Sequence, residues 1–149
     1  MKEISYIKDF DQWRSSFSFS TRVRIRFSET DLFGHMNNVS TFIYFEEARI
    51  EFLKSMGLFG NDYESGIPIV ADLQCDYLTQ VFFDEQISVF VKAADVGTTS
   101  FDLHYMAVNE REEICFTGRG RLVFIEPKSG KPIPLPQSMK RKLLQHEST

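Results

Sequence analysis

Between Val39 and Met56 the apolar residues do not keep to one stripe. At helical spacing Phe42, Phe45, Ala48, Ile50, Phe52, Leu53 and Met56 cover well over half of the circumference. A helix lying on a protein surface needs an apolar stripe only about 100° wide. A helix here, stopped by Gly57, must therefore be enclosed on most of its sides. Asn37, Asn38 or Ser40 can cap its start. Glu46 and Arg49 project within the apolar sector three residues apart and can pair. That pair either fixes the helix as a partly buried ion pair, or Glu46 is a carboxylate that supports a site.

The enclosure must come from strands, because most of the remaining chain alternates. Arg22, Arg24 and Arg26 alternate with Val23, Ile25 and Phe27, a half-buried strand whose arginines form a solvated face or an anion site. Ile69, Ala71, Leu73, Cys75 and Tyr77 begin the later strands, followed by Ile87 to Ala93, Phe101 to Ala107 and Ile114 to Phe124. Asp95-Val96-Gly97 and Asn109-Glu110-Arg111-Glu112 are turn signals between them. Consecutive strands with short connections predict an antiparallel sheet. Gly118 and Gly120 share one face of the last strand and leave room for a close neighbour. One strand, one long helix and four strands make an α+β fold, a curved antiparallel sheet of about five strands wrapped around one central helix. Residues 1–18 form a lead-in, a short helix or a packing arm, with Trp13 and Phe17 near its end. Residues 19–149 form one domain, closed by a proline-rich stretch, Pro127 to Pro136, and a short helix, Gln137 to Gln145. The basic run Lys140-Arg141-Lys142 there is a solvated face or a contact with a ligand phosphate or partner.

Composition narrows the function classes. At 149 residues the chain is one domain with a sufficient core, and 42% apolar against 26% charged residues is too apolar for a disordered chain. A net charge of −4 argues against nucleic acid as the main partner, while leaving room for a local basic patch that holds a small phosphorylated ligand. The fifteen Phe residues imply a bulky core or an interface. Cys75 and Cys115 form no C-x-x-C pair and read as two thiols in a reducing compartment. The first residues lack an apolar signal region, and the longest uncharged stretch, Leu32 to Phe45, contains His35, Asn37 and Asn38. A cytoplasmic protein without a membrane span is the expectation.

Chemistry concentrates in Thr30-Asp31-Leu32-Phe33-Gly34-His35-Met36-Asn37-Asn38, directly before the enclosed helix. A helix N-terminus offers unpaired amide donors and a positive dipole end, which can stabilise an oxyanion. A nearby carboxylate or imidazole can activate water or attack directly. Asp, His and Asn before a helix also serve as caps and turn formers. No cluster has metal-ligand spacing, no G-x-S-x-G elbow or phosphate loop is present, and neither cysteine lies beside a histidine in sequence. His104 and His146 read as structural or solvated.

The run Phe27-Ser28-Glu29-Thr30-Asp31-Leu32-Phe33-Gly34-His35-Met36-Asn37-Asn38, continued by Tyr44-Phe45-Glu46-Glu47-Ala48-Arg49, resembles the signature of hotdog-fold acyl-CoA thioesterases. More narrowly it is similar to the hydroxybenzoyl-CoA thioesterase-like branch, and plant acyl-ACP thioesterases share its His-x-Asn-Asn element. The strand order extends this likeness over Thr21 to Glu126. The resemblance implies that Asp31 is the essential carboxylate, as general base for water or as nucleophile through an acyl-enzyme anhydride. It implies that the backbone N–H of Asn38 binds the thioester oxygen, and that His35 and Asn37 orient Asp31, the water or the helix cap. Gly34, Thr41 and Glu46 would line the substrate, and Gly97, Thr98, Thr99 and Ser100 resemble a loop near the pantetheine arm. Many relatives carry Tyr where this chain has Thr41, and a small residue or Ala plus Arg where it has Val39 and Ser40. These departures touch the acyl pocket and not Asp31.

The implied function is hydrolysis of a fatty or aromatic acyl-CoA, with no cofactor. The alternatives are an acyl-ACP substrate or a non-catalytic acyl-CoA-binding protein. A related dehydratase or hydratase would carry Asp-x-Asn-x-x-His or a His with a distant Glu, whereas here Phe33 takes the Asn position and Asp31 and His35 are four apart. A single sheet around one helix leaves its outer face and edges bare, and the resemblance implies a homo-oligomer, a dimer with a continuous sheet or a tetramer.

Overall fold

In the computed structural model, which describes residues 3–58 and 66–146, the central helix α2 runs Ser40–Ser55. The strands are β1 (Phe19–Arg24), β2 (Ile67–Tyr77), β3 (Gln86–Ala94), β4 (Ser100–Asn109) and β5 (Ile114–Ile125), and short helices α1 (Phe10–Ser15) and α3 (Gln137–Gln145) stand at the two ends of the chain. The sheet is antiparallel in the order β1-β3-β4-β5-β2, so β1 and β2 are its edges. Among the described residues no helix is long and apolar enough to cross a membrane.

α2 lies on the inner face. Phe45, Ala48 and Phe52 are fully buried there against Val89, Val91, Leu103, Tyr105 and Phe116. The Phe45 ring stacks on Tyr105 with centroids 4.4 Å apart. The glycine reading holds at Gly118, where a Cβ would come within 2.5 Å of the Phe45 ring. Bulk on the helix is thus matched by its absence on β5. At the far end Lys142 Nζ donates to the Met56 carbonyl at 2.9 Å, a cation closing the C-terminus of α2. One member of the basic run is therefore a helix cap.

Three expectations need correction. Enclosure of α2 is incomplete in one chain, since Val39, Phe42 and Ile43 remain exposed. Arg49 does not pair with Glu46; its guanidinium donates to Tyr105 Oη at 3.2 Å, and Glu46 stays exposed. Phe27 does not continue the buried face of β1. The strand ends at Arg24, the chain turns into a 3-10 helix over Phe27–Glu29, and Phe27 is 78% exposed.

The outer face of the sheet is not bare either. The lead-in folds back across it, and Ile4, Ile7 and Trp13 form a second small core with Met106, Val108 and Ile114. β4 is buried on both sides for this reason. Polar groups under the lead-in are paired. Trp13 Nε1 donates to His104 Nδ1 at 3.0 Å, Lys92 Nζ to Ser16 Oγ at 2.7 Å, and Tyr6 Oη to Thr117 Oγ1 at 2.9 Å.

Candidate active site

The site lies at the end of the sheet where β1 and β2 finish and β3 begins, beside the N-terminus of α2. Its foundation is Glu29, 5% exposed. The Arg26 guanidinium reaches one Glu29 carboxylate oxygen at 2.6 Å, and Tyr44 Oη from α2 donates to the other at 2.9 Å. Burial opposes the charge of Glu29, but these hydrogen bonds and that of the Arg26 backbone amide outweigh it and hold the carboxyl below its usual range. The Glu29 carbonyl accepts the Asn37 amide at 2.7 Å, and Met36 N–H donates to Val81 O at 2.6 Å. The loop between is clamped at both feet.

Within that clamp the chain makes a tight turn. Asp31 N–H donates to the His35 carbonyl at 2.8 Å, and Gly34 takes φ 76°, a backbone state that favours glycine. Asp31 Oδ1 accepts the amides of Phe33 at 2.9 Å and His35 at 3.1 Å. Among the described residues Oδ2 has no protein partner. Half of the carboxylate is anchored and the other half is open. The His35 ring packs edge-on against Phe82, centroids 4.9 Å apart, so it is the backbone of His35 that orients Asp31.

The helix start is built the same way. Asn37 Oδ1 accepts the Val39 amide at 2.9 Å, and the Asn37 carbonyl accepts the Ser40 amide at 3.0 Å. Asn37 thus caps the turn that leads into α2, two residues ahead of Val39 at the helix's own N-cap position. The Asn38 amide, between these bonds, meets no acceptor among the described residues. Asp31 and Asn38 line one cleft of about 320 Å³ with His35, Tyr77 and Gln80. On its other side Asp31 borders a second cleft of about 560 Å³, walled by Phe27, Leu32, Gly34 and Phe83.

The remaining expected residues divide. Thr41 is fully buried and props the Asn38 carbonyl through its hydroxyl at 2.9 Å. Glu46 borders neither cleft. Gly97, Thr98, Thr99 and Ser100 sit at the opposite end of β3, where Thr98 and Thr99 carbonyls accept the Leu135 and Phe124 amides. One chain does not bring this loop to Asp31. Tyr77 was legible only as a strand position, yet it lines the cleft and its hydroxyl donates to the Asn38 carbonyl. Glu29 and Tyr44 carried no spacing signal, since a carboxylate fifteen positions before its tyrosine partner is found only by folding. Among the described residues no three His, Cys, Asp or Glu side chains converge as a metal site.

An anchored carboxylate and an unspent amide at a helix start, on two residues that line one cleft, are the equipment of acyl transfer. Residues 25–143 match the family model described as the thioesterase-like superfamily. The chain belongs to that superfamily. The protein YsmA of Bacillus subtilis, uncharacterized, is 44% identical over 97% of this chain and 98% of its own. A Thermus thermophilus thioesterase, solved in complex with coenzyme A and Zn, is 30% identical over 85% of this chain and 98% of that one, with a TM-score of 0.74. A DHNA-CoA thioesterase from Staphylococcus aureus is 28% identical over 78% of this chain and 79% of that one, with a TM-score of 0.72. The α+β fold described above is the hotdog fold of these thioesterases, and this superfamily member is a thioester hydrolase.

Proposed function

We propose that this thioesterase hydrolyses acyl-CoA esters in the cleft between Asp31 and the start of α2. The observation that carries this reading is that two residues of one cleft, Asp31 and Asn38, each keep a polar group, Oδ2 and the backbone amide, without a partner among the described residues. The solved complex of the Thermus relative with coenzyme A supports the CoA ester.

The chemistry asks for little more. A thiolate leaving group has a conjugate acid pKa near 8.5 by analogy with cysteine, so it departs without much help from a general acid. What hydrolysis needs is a base or nucleophile on one side of the carbonyl and a donor for the oxyanion on the other. Asp31 fills the first role, either by taking a proton from water or by forming a mixed anhydride that water then opens. The Asn38 N–H fills the second, and the Asn37 cap keeps that end of the helix open. The cleft walled by Phe27, Leu32 and Phe83 suits the acyl group. The Gly97–Ser100 loop would reach a site only from a second copy. The exposed apolar residues Ile67, Ile69 and Val70 on edge strand β2 favour such a homodimer.

The test is thiol release from a panel of short, long and aromatic acyl-CoAs, with wild type and Asp31→Asn side by side. Turnover that falls at least about 10²-fold in the variant is expected. Full activity in a folded Asp31→Asn protein would overturn the role of Asp31. Hydrolysis of carrier-linked acyl groups alone would move the substrate to acyl carrier protein, and binding without turnover would make the protein a binder.

A further inference from the structure

The Asn38 carbonyl has an unusual set of partners. In a regular helix start it would accept an amide of the first turn, but the Phe42 amide donates to Val39 O instead, at 3.2 Å. Two side-chain hydroxyls take its place. Thr41 Oγ1 donates from the helix at 2.9 Å, and Tyr77 Oη donates from the end of β2. The two hydroxyl oxygens are 3.1 Å apart. Thr41 is sealed in the core, whereas Tyr77 is 42% exposed and lines the cleft that holds Asp31.

These bonds bear on the neighbouring amide. The peptide after Asn38 is held at its carbonyl by Tyr77 and Thr41 and at its N–H by Asn37 Oδ1. The peptide before Asn38 is held at its carbonyl by the Ser40 amide. With both flanking peptide planes pinned, the Asn38 N–H is the polar group of these two peptides left without a partner among the described residues, and its direction is set. Pre-aimed donors stabilise an oxyanion without reorganising during the reaction. The hydroxyls also satisfy a carbonyl dipole that would otherwise stand unpaired beside a developing negative charge. Burial raises the Tyr77 phenol above its ordinary range, which keeps it a donor at neutral pH.

We propose that Tyr77 is a positioning residue of the thioester site: its hydroxyl, reaching across from the edge strand, holds the Asn38 carbonyl and so aims the Asn38 amide at the thioester oxygen. This rests on the acyl-CoA hydrolysis reading above. It also gives β2 a part in the chemistry besides its place in the sheet.

The experiment compares wild type, Asp31→Asn and Tyr77→Phe in steady-state hydrolysis. It adds binding of two inert acyl-CoA analogues, one a ketone with CH2 for sulfur and one a thioether without the carbonyl. Tyr77→Phe keeps the ring and loses only the hydroxyl. The expected result is a kcat about 10-fold lower with KM within about twofold, a smaller loss than the 10²–10³ of deleting an oxyanion donor. The preference for ketone over thioether should shrink while thioether affinity holds. A merely structural tyrosine would lower thermal stability and leave that preference intact, and this outcome overturns the proposal. Wild-type turnover that needs Asp31, with kcat unchanged in Tyr77→Phe, overturns the proposal and leaves the hydrolysis reading standing. Failure of wild type to hydrolyse any ester or bind either analogue overturns both. Should Tyr77→Phe not fold, difluorotyrosine at position 77 serves, because it keeps the hydroxyl and ionises at lower pH. The alkaline fall of kcat should then move to lower pH, and an unmoved fall counts against the assignment.

Discussion

Two histidines define two contrasting neighbourhoods. His104, on the outer face of β4, is buried, accepts the Trp13 indole and lies beneath the lead-in. Lys92 on the adjoining strand lies over the rings of Trp13 and Phe17, at 5.8 and 5.2 Å, and donates to Ser16. These bonds join the lead-in to the sheet, as burial favours. His35, in the loop before α2, lies half-exposed among aromatic rings. Around it the backbone satisfies one oxygen of Asp31 and leaves the other open, while the side chains of Asn37, Thr41 and Tyr77 with the Ser40 amide pin both peptides next to an amide that bonds to nothing described. The first neighbourhood uses its polar groups to fasten two surfaces. The second pairs just enough of them to hold the rest out for a ligand. A histidine in a sequence does not say which kind it belongs to; the fate of its neighbours' hydrogen bonds does.

The contrast can be broken from either side. Asp31→Asn should reduce kcat by about 10²–10⁴-fold, or about 2.7–5.5 kcal/mol of barrier, with an unchanged melting temperature. A variant that melts early would make Asp31 part of the scaffold. Trp13→Ala should do the reverse. Removing a buried indole costs about 3–5 kcal/mol in chemical denaturation, while kcat below the transition stays at the wild-type value. A selective loss of kcat there would join the outer face to the site.

Acid should act on the outer face first. Burial, with the nearby Lys92 charge, lowers His104 to about 4. An unfolded histidine takes its proton near 6.5. The unfolded state therefore binds more protons between these values, and stability falls as pH drops from about 6.5 to about 4. The expected loss is on the order of 3 kcal/mol, and denaturation of wild type and His104→Gln across this window would measure it. Equal slopes in the two proteins would remove His104 as the cause. The smallest effect belongs to the cap. Asn37→Ala should cost about 1 kcal/mol of stability, with a kcat loss no larger than that of Tyr77→Phe.

Much of the fold was legible along the chain. The apolar spread over Phe42–Met56 demanded an enclosed helix, alternation marked the strands, and the glycines on β5 announced a close approach, which Phe45 makes at Gly118. The site loop was legible as a motif, and the structure adds how it is held. Where the lead-in packs was not legible, because Trp13 finds its partner His104 about ninety positions away. Reading β4 by its inner alternation, Phe101 to Ala107, also concealed that Met106 and Val108 bury its outer side. Phe27 was misplaced because alternation cannot see where a strand ends and a turn begins.

The helix, the strands and the cluster of Asp31, His35, Asn37 and Asn38 ahead of α2 follow from the order of residues alone. Such features arise from neighbours within a few residues, whose spacing sets backbone preference and which face is apolar. It takes the folded chain to show that Glu29 anchors the loop through Tyr44, that Tyr77 and Thr41 share the Asn38 carbonyl, and that the lead-in packs on the outer face. Those contacts join groups distant in sequence, where hydrogen-bond length and burial select partners that no local period records.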